Sequence, residues 1–228
     1  MSPDPAFLTR AEELAAEGWA RIATGRFWRH VLSEGFDRQL YVGLMGEIRH
    51  YTRHNAQNQA LAARRVFSDR LGLLRFCLRH ALEEAGHDLF VSNDLRSIGV
   101  EPHELRQRPL PETEAFVAYI YRVATERDAT ARLGYSFWAE SCYPFIADVL
   151  AAMRTSLGLE ERQMTFFVAH SDIDERHFQE VRDVAAEWCR DEALQADFLD
   201  VLEHSLHLQG QMLEGVYRAW ASAPQPVA

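Results

Sequence analysis

Apolar side chains recur every three to four residues through most of the chain, the period of helices with one buried face, and no stretch alternates as a strand would. The period predicts about seven long helices and one short extra segment. The first covers about 6–24 and stops near Gly25, and the short segment runs from about 26 to 34, stopped by Gly35. Asp37 stands where it would cap a long helix reaching about 64. Ser68 or Asp69 would start the next, which runs to about 97 and closes at Gly99. Val100 to Glu112, with Pro102, Pro109 and Pro111, reads as the main loop. Helices follow at about 112–126, 128–156, 159–188 and 191–220; Gly158 ends the second of these and Pro144 should kink it. One all-α domain over 1–228 is expected, with frayed tails at 1–5 and 221–228.

Two predicted hairpins, 37–97 and 128–188, share a layout. Each carries a lone glutamate on its first limb and a carboxylate three residues before a histidine on its second. Glu47 precedes Glu84-Ala-Gly-His87 by 37 residues (47 to 84), and Glu140 precedes Asp174-Glu-Arg-His177 by 34 (140 to 174). One straight helix would hold Glu47 and Glu84 roughly 55 Å apart. A turn near 65–68 returns both to one height, and the turn at Gly158 does the same for Glu140 and Asp174. Phase agrees with height. Leu73, Phe76, Cys77, His80, Glu84 and His87 form one helical stripe; Leu40, Leu44, Glu47 and Tyr51 form another. Two more run through Leu133, Phe137 and Glu140 and through Phe166, His170, Asp174 and His177.

A carboxylate on an apolar stripe is costly to bury unpaired. A bound cation, salt bridges or surface exposure would each remove that cost. The order acid, acid-x-x-His, acid, acid-x-x-His is the ligand set of a two-metal carboxylate site in a helical bundle. His170, one turn before Asp174, extends the last element to His170-x-x-x-Asp174-x-x-His177. The candidate metal ligands are therefore Glu47, Glu84, His87, Glu140, His170, Asp174 and His177, the acids Glu47, Glu84, Glu140 and Asp174 also being the catalytic candidates. His80 is expected as a hydrogen-bond partner behind them. Tyr51, His54, Asn55, Tyr135, Phe137 and Trp138 lie one or two turns away and are candidate substrate-pocket residues. Arg132 or Arg176 could pair a substrate carboxylate, although a solvated role is the first expectation for both. Carboxylates and imidazoles without thiolate favour iron or manganese over zinc or calcium. Two Fe(II) ions are expected, with manganese as the alternative.

Composition narrows the partners. The 228 residues suffice for one buried core, and 47% hydrophobic with 25% charged residues is ordinary for a globular chain. A formal net charge of −10, with no basic stripe, argues against a nucleic-acid partner. Cys77, Cys142 and Cys189 are odd in number and form no C-x-x-C, so reduced thiols in a cytoplasmic protein are expected. The N-terminus has no signal-peptide pattern, and no apolar run is long enough to predict a membrane span.

Glu47, Glu84-x-x-His87, Glu140 and His170-x-x-x-Asp174-x-x-His177, spanning about 37–188, resemble the heme-oxygenase-like di-metal oxidases. That family is related in fold to the thiamin-salvage TenA proteins, PQQ synthase and heme oxygenase. The H-x-x-x-D-x-x-H element is the more specific part, because ordinary ferritin-like proteins usually have E-x-x-H there. The resemblance implies a heme-oxygenase-like bundle with a buried di-metal site and a non-heme di-iron centre that activates O₂. It also implies oxidation of a small amino-acid, amine or fatty-acid-like substrate, by N-oxygenation, desaturation or oxidative C–C cleavage, and it allows a homodimer. Two positions depart from the pattern. Some relatives carry an acid seven residues before the histidine of the second ligand helix, where this chain has His80. Cys142 and Tyr143 do not recreate the nucleophile arrangement of TenA-type thiaminases. Three rival readings remain at this point: a ferritin-like metal-binding protein without organic substrate, a cofactor-independent or heme-binding relative with His30 as axial ligand, and a structural module whose acids and histidines pair at the surface.

Overall fold

The computed structural model describes residues 5–106 and 108–223; the side chains of residues 5 and 169–175 lie outside the described set. Among the described residues the chain forms eleven α-helices and no strand. They are α1 (Pro5–Ala23), α2 (Arg26–Ser33), α3 (Arg38–Thr52), α4 (Asn55–Ala63), α5 (Leu71–Glu83), α6 (His87–Ser97), α7 (Pro111–Glu126), α8 (Ala129–Glu140), α9 (Tyr143–Leu157), α10 (Thr165–Trp188) and α11 (Glu192–Ala221). Short 3₁₀ turns at Ser68–Arg70, Pro102–Glu104 and Glu161–Gln163 join some of them. No helix among the described residues is long and apolar enough to cross a membrane.

Local chemistry sets several ends where the sequence places them. Asp37 accepts a hydrogen bond from Leu40 N (2.7 Å), Asp128 from Thr130 N and Asp191 from Leu194 N, each relieving a first-turn amide that has no partner inside its helix. Gly158 ends α9.

Three helices expected to run unbroken are each divided in two. The 37–64 segment breaks at Arg53–His54, the 68–97 segment at Glu84–Gly86 and the 128–156 segment at Ser141–Cys142. At the second break Gly86 has φ +93°, a left-handed conformation that only glycine adopts at little cost. At the third, Pro144 stands in the first turn of α9, where its missing amide hydrogen costs nothing. The expected kink is therefore a full break. All three breaks meet one cavity, lined by Thr52 and Asn55, by Glu84 and His87, and by Glu140 and Cys142.

The breaks are held in place by unbroken neighbours. α11, at 30 residues about 45 Å long, packs along α8 and also against α1, α3 and α7. Its approach to α8 is backbone-close: a Cβ at Gly134 would lie 2.2 Å from the carbonyl oxygen of Phe198. One face of α8 enters the core, with Phe137 wedged edge-on against Phe178 and Phe198 (ring centroids 5.1 and 5.5 Å). The other face, carrying Arg132, Tyr135, Ser136 and Glu140, borders the cavity. α10 is anchored by Asp94 of α6, which is fully buried and accepts from Thr165 N (2.8 Å), Thr165 Oγ1 (2.5 Å) and Phe166 N (2.9 Å). This cap, supplied by another helix, fixes where α10 begins and hence the height of His177.

Candidate metal centre

Four donors from three helices converge. His80 lies in the last turn of α5 and Glu84 is that helix's C-terminal cap; Glu140 ends α8, and His177 comes from α10. Each offers one ligand atom, and these atoms all lie within 4.8 Å of one another. His80 Nε2 is 3.2 Å from Glu140 Oε1, and His177 Nδ1 is 3.6 Å from Glu140 Oε2. His87 Nδ1, at the start of α6, is 3.4 Å from Glu84 Oε1. Glu83 Oε2 approaches His177 Nε2 at 3.4 Å from the outer side. His80, Glu84 and His177 are 2%, 7% and 4% exposed, and the Glu140 side chain 9%.

Carboxylates so deeply placed need compensating positive charge. Burial works against ionisation of Glu140, yet hydrogen bonds from His177 and His80 outweigh it and hold its pKa below the usual glutamate value. His177 is raised by its bond to Glu140, against the opposing effect of burial. Burial likewise opposes protonation of His87, and Glu84 overrides it, so that pKa is raised as well. Imidazole protons thus balance the acids; a metal cation could do the same with the rings neutral. Two observations fit iron or manganese. The cluster joins carboxylates to imidazoles without thiolate, and His80 Nδ1 is buried with no hydrogen-bond partner among the described residues.

A short relay orients one acid. Buried Tyr135 donates through its hydroxyl to Asn55 Oδ1 (3.0 Å), and Asn55 Nδ2 donates to Glu84 Oε2 (3.2 Å). Burial raises the Tyr135 pKa, which keeps the phenol protonated and donating. Beside the cluster lies a cavity of about 140 Å³, walled by Trp19, Phe27, Trp28, Leu44, Ile48, Tyr51, Trp138, Phe166 and Phe167. Trp19 stacks on Phe145 behind this wall (5.8 Å, 10°).

The structure sorts the expected residues. It brings Glu84, Glu140 and His177 together, with His87 beside Glu84. His80, expected behind the ligands, is instead a member of the four-residue cluster. Glu47 does not join it. Its carboxylate accepts from Leu110 N (3.0 Å), faces Arg106 Nε at 3.7 Å and borders a second cavity with Gly43 and Gly46. The side chains of His170 and Asp174 lie outside the described residues. Of the pocket candidates, Tyr51, Asn55, Tyr135 and Trp138 line the cavity. His54 turns away to Tyr121 Oη (3.1 Å), and Phe137 lies in the core because one helical step of 100° carries it past the cavity edge. Arg176 is exposed. His30 packs on Tyr217 and Trp220 and does not border the cavity, so it is not placed as an axial ligand there. Sequence reasoning missed Glu83, next to Glu84 at the end of α5, and the walls Trp19, Phe27 and Trp28, whose helices α1 and α2 carry no motif.

Residues 43–210 match a family model described as an iron-containing redox enzyme. Among solved structures, a domain of unknown function with a heme oxygenase-like fold from Shewanella denitrificans is 37% identical, covering 94% of this chain and 93% of its own, with a TM-score of 0.89. A TenA homologue from Pseudomonas syringae pv. tomato is 15% identical over 95% of this chain and 94% of that one, with a TM-score of 0.79. A CADD-like protein of unknown function from Nostoc punctiforme is 12% identical over 92% and 98%, with a TM-score of 0.69. The last two share the fold alone. Curated proteins give no significant match. The architecture is heme-oxygenase-like, as the family resemblance implied.

Proposed function

The chain belongs to the family of iron-containing redox enzymes, and from that premise we propose that it is a non-heme di-iron oxidase. It would use O₂ to oxidise a small amino-acid, amine or fatty-acid-like metabolite. One observation carries the reading: four buried donors from three helices meet at the edge of a cavity walled by aromatic and aliphatic side chains. His80, Glu84, Glu140 and His177, with His87 beside them, would hold the metal. His170 and Asp174, two turns and one turn before His177 in the sequence of α10, would complete a donor set large enough for two ions. Glu47 is left out, because Leu110 N and Arg106 already occupy its carboxylate. Bound ferrous iron supplies the electrons for O₂ reduction.

The protein's own groups do the rest. The Tyr135–Asn55 relay holds the Glu84 carboxylate in one orientation. Glu140, at the end of its helix, is free of helical backbone constraint beyond it. The Trp and Phe walls keep water from the reacting atoms. Those walls also favour an organic substrate over iron storage, which needs no such cavity.

Elemental analysis of protein grown in iron-rich medium tests the premise, with close to two iron atoms per chain expected. O₂ uptake with candidate amines and carboxylates, against iron alone, tests the reaction. Glu140→Ala should lose most bound iron and substrate-dependent O₂ uptake while keeping its helical circular dichroism. Full iron content and uptake in that variant would refute the assignment.

A further inference from the structure

Arg132 is a buried charge with no ion pair at contact distance among the described residues. It is 1% exposed, on the cavity-facing side of α8. Its Nε donates to Asn58 Oδ1 (2.7 Å) and its Nη1 to Ser136 Oγ (2.6 Å), and the Tyr135 ring lies 4.5 Å from Cζ. Asn58, Ser136 and the ring are all neutral. Among the described residues no carboxylate comes within ion-pair distance; Glu84 and Glu140 attract the guanidinium only from further off, and Nη2 makes no hydrogen bond. A guanidinium keeps its proton even where burial opposes the charge. The protein therefore maintains a costly cation in its interior, with two of five N–H donors committed.

We propose that Arg132 is the specificity-determining anchor of the active site, receiving a carboxylate of the substrate on the edge between its two terminal nitrogens. The bond to Ser136 folds the guanidinium forward along α8, towards the cluster. Ser136 and Glu140 are one turn apart, about 6 Å along the axis. A carboxylate held at Arg132 thus places the carbons a few bonds away beside the metal donors, and the oxidised position lies near the carboxyl end. Leu44, Ile48 and Trp138 take the apolar remainder. A planar fork suits a carboxylate, and it repels an ammonium group. The substrate class is therefore a small amphipathic carboxylate, and a simple amine is disfavoured. The catalytic meaning of this anchor rests on the oxidase reading; the binding itself does not require iron.

The test uses octanoate, methyl octanoate and octylamine, read by tryptophan fluorescence, since Trp19, Trp28 and Trp138 line the cavity. It is run on the metal-free protein and again with redox-inert Mn(II). In the unaltered protein octanoate should bind about tenfold or more tighter than its ester or the amine. Arg132→Gln should abolish that preference and Arg132→Lys should retain part of it, both keeping the helical signal. Equal binding of ester and acid, tighter binding of the amine, or no binding of octanoate overturns the proposal without any variant; a preference surviving in Arg132→Gln does so too. Purified protein without iron affinity would sink the oxidase reading and leave a carboxylate preference in the metal-free protein standing, so the two failures are distinct.

Discussion

Protons and a metal cation compete for the same atoms in the buried cluster. His177 has a raised pKa because Glu140 accepts its hydrogen bond. In the metal-free protein that pair contributes stability that is complete below the ordinary histidine value of about 6.5 and is lost as pH rises through the raised one. For metal binding the sign reverses, because the ring must shed its proton to coordinate. Mn(II) affinity, measured calorimetrically between about pH 6 and 9, should rise with pH through and above about 6.5 and then level off. Proton release, visible as buffer-dependent heat, should accompany it; a flat profile would remove the competition. The same side chains show what one residue's phase can reveal. Glu84, Glu140 and His177 are in phase with apolar positions of their helices, so periodicity alone points them inward. Glu47 stands at a stripe's edge: Ile48 and Tyr51 face the first cavity, while Gly43 and Gly46 face the second. A single 100° step decides between them, and the loop carrying Arg106 and Leu110 tips the balance. His80 was on a readable stripe, but its rank in the cluster depends on how α5 lies against α8, which no local pattern encodes.

Helix ends divide into those set locally and those set from afar. Asp37, Asp128 and Gly158 act on their own helices and could be read from the chain. Asp94 could not, since it looks like any acid within α6 yet caps α10 across 71 residues of sequence. Asp94→Ala strips three hydrogen bonds from a buried cap and should destabilise the fold by about 2–3 kcal/mol in urea unfolding. Mn(II) binding should weaken in parallel, because His177 loses its fixed height. An unchanged midpoint would show that α10 is held by packing alone. Two of the three breaks were hidden, whereas Pro144 announced a kink at the third. Between Tyr51 and Ala60 the chain is polar but for Ala56, with no glycine or proline to mark a stop, while Gly86 and Pro144 mark a change of backbone at the other two. Local hydrogen bonds such as Arg53 N to Arg49 O and His87 N to Glu84 O carry the backbone through the breaks, so these look like helix to a linear reading.

A ligand that binds only the folded chain stabilises all of it. At a hundredfold excess over its dissociation constant, Mn(II) should add about 2.7 kcal/mol. For a chain of this size the melting temperature should rise by roughly 5–10 °C. Mg(II), which prefers all-oxygen sites, should leave melting nearly unchanged, and Glu140→Ala should erase the Mn(II) effect. Equal shifts with both ions would point to screening of the −10 net charge rather than to a built centre. The topology was the most readable level, because matched hairpin heights follow from helical rise alone. What the chain did not disclose is the contrast between segmented rods and α11. Three neighbours are jointed at the cavity's latitude, whereas α11 passes it as a continuous keel. Any widening of the cavity would cost least at those joints, because the stiff member has none to bend. Gating would be tuned at the joints, Gly86 foremost, and would be indifferent to substitutions on the keel's solvent face.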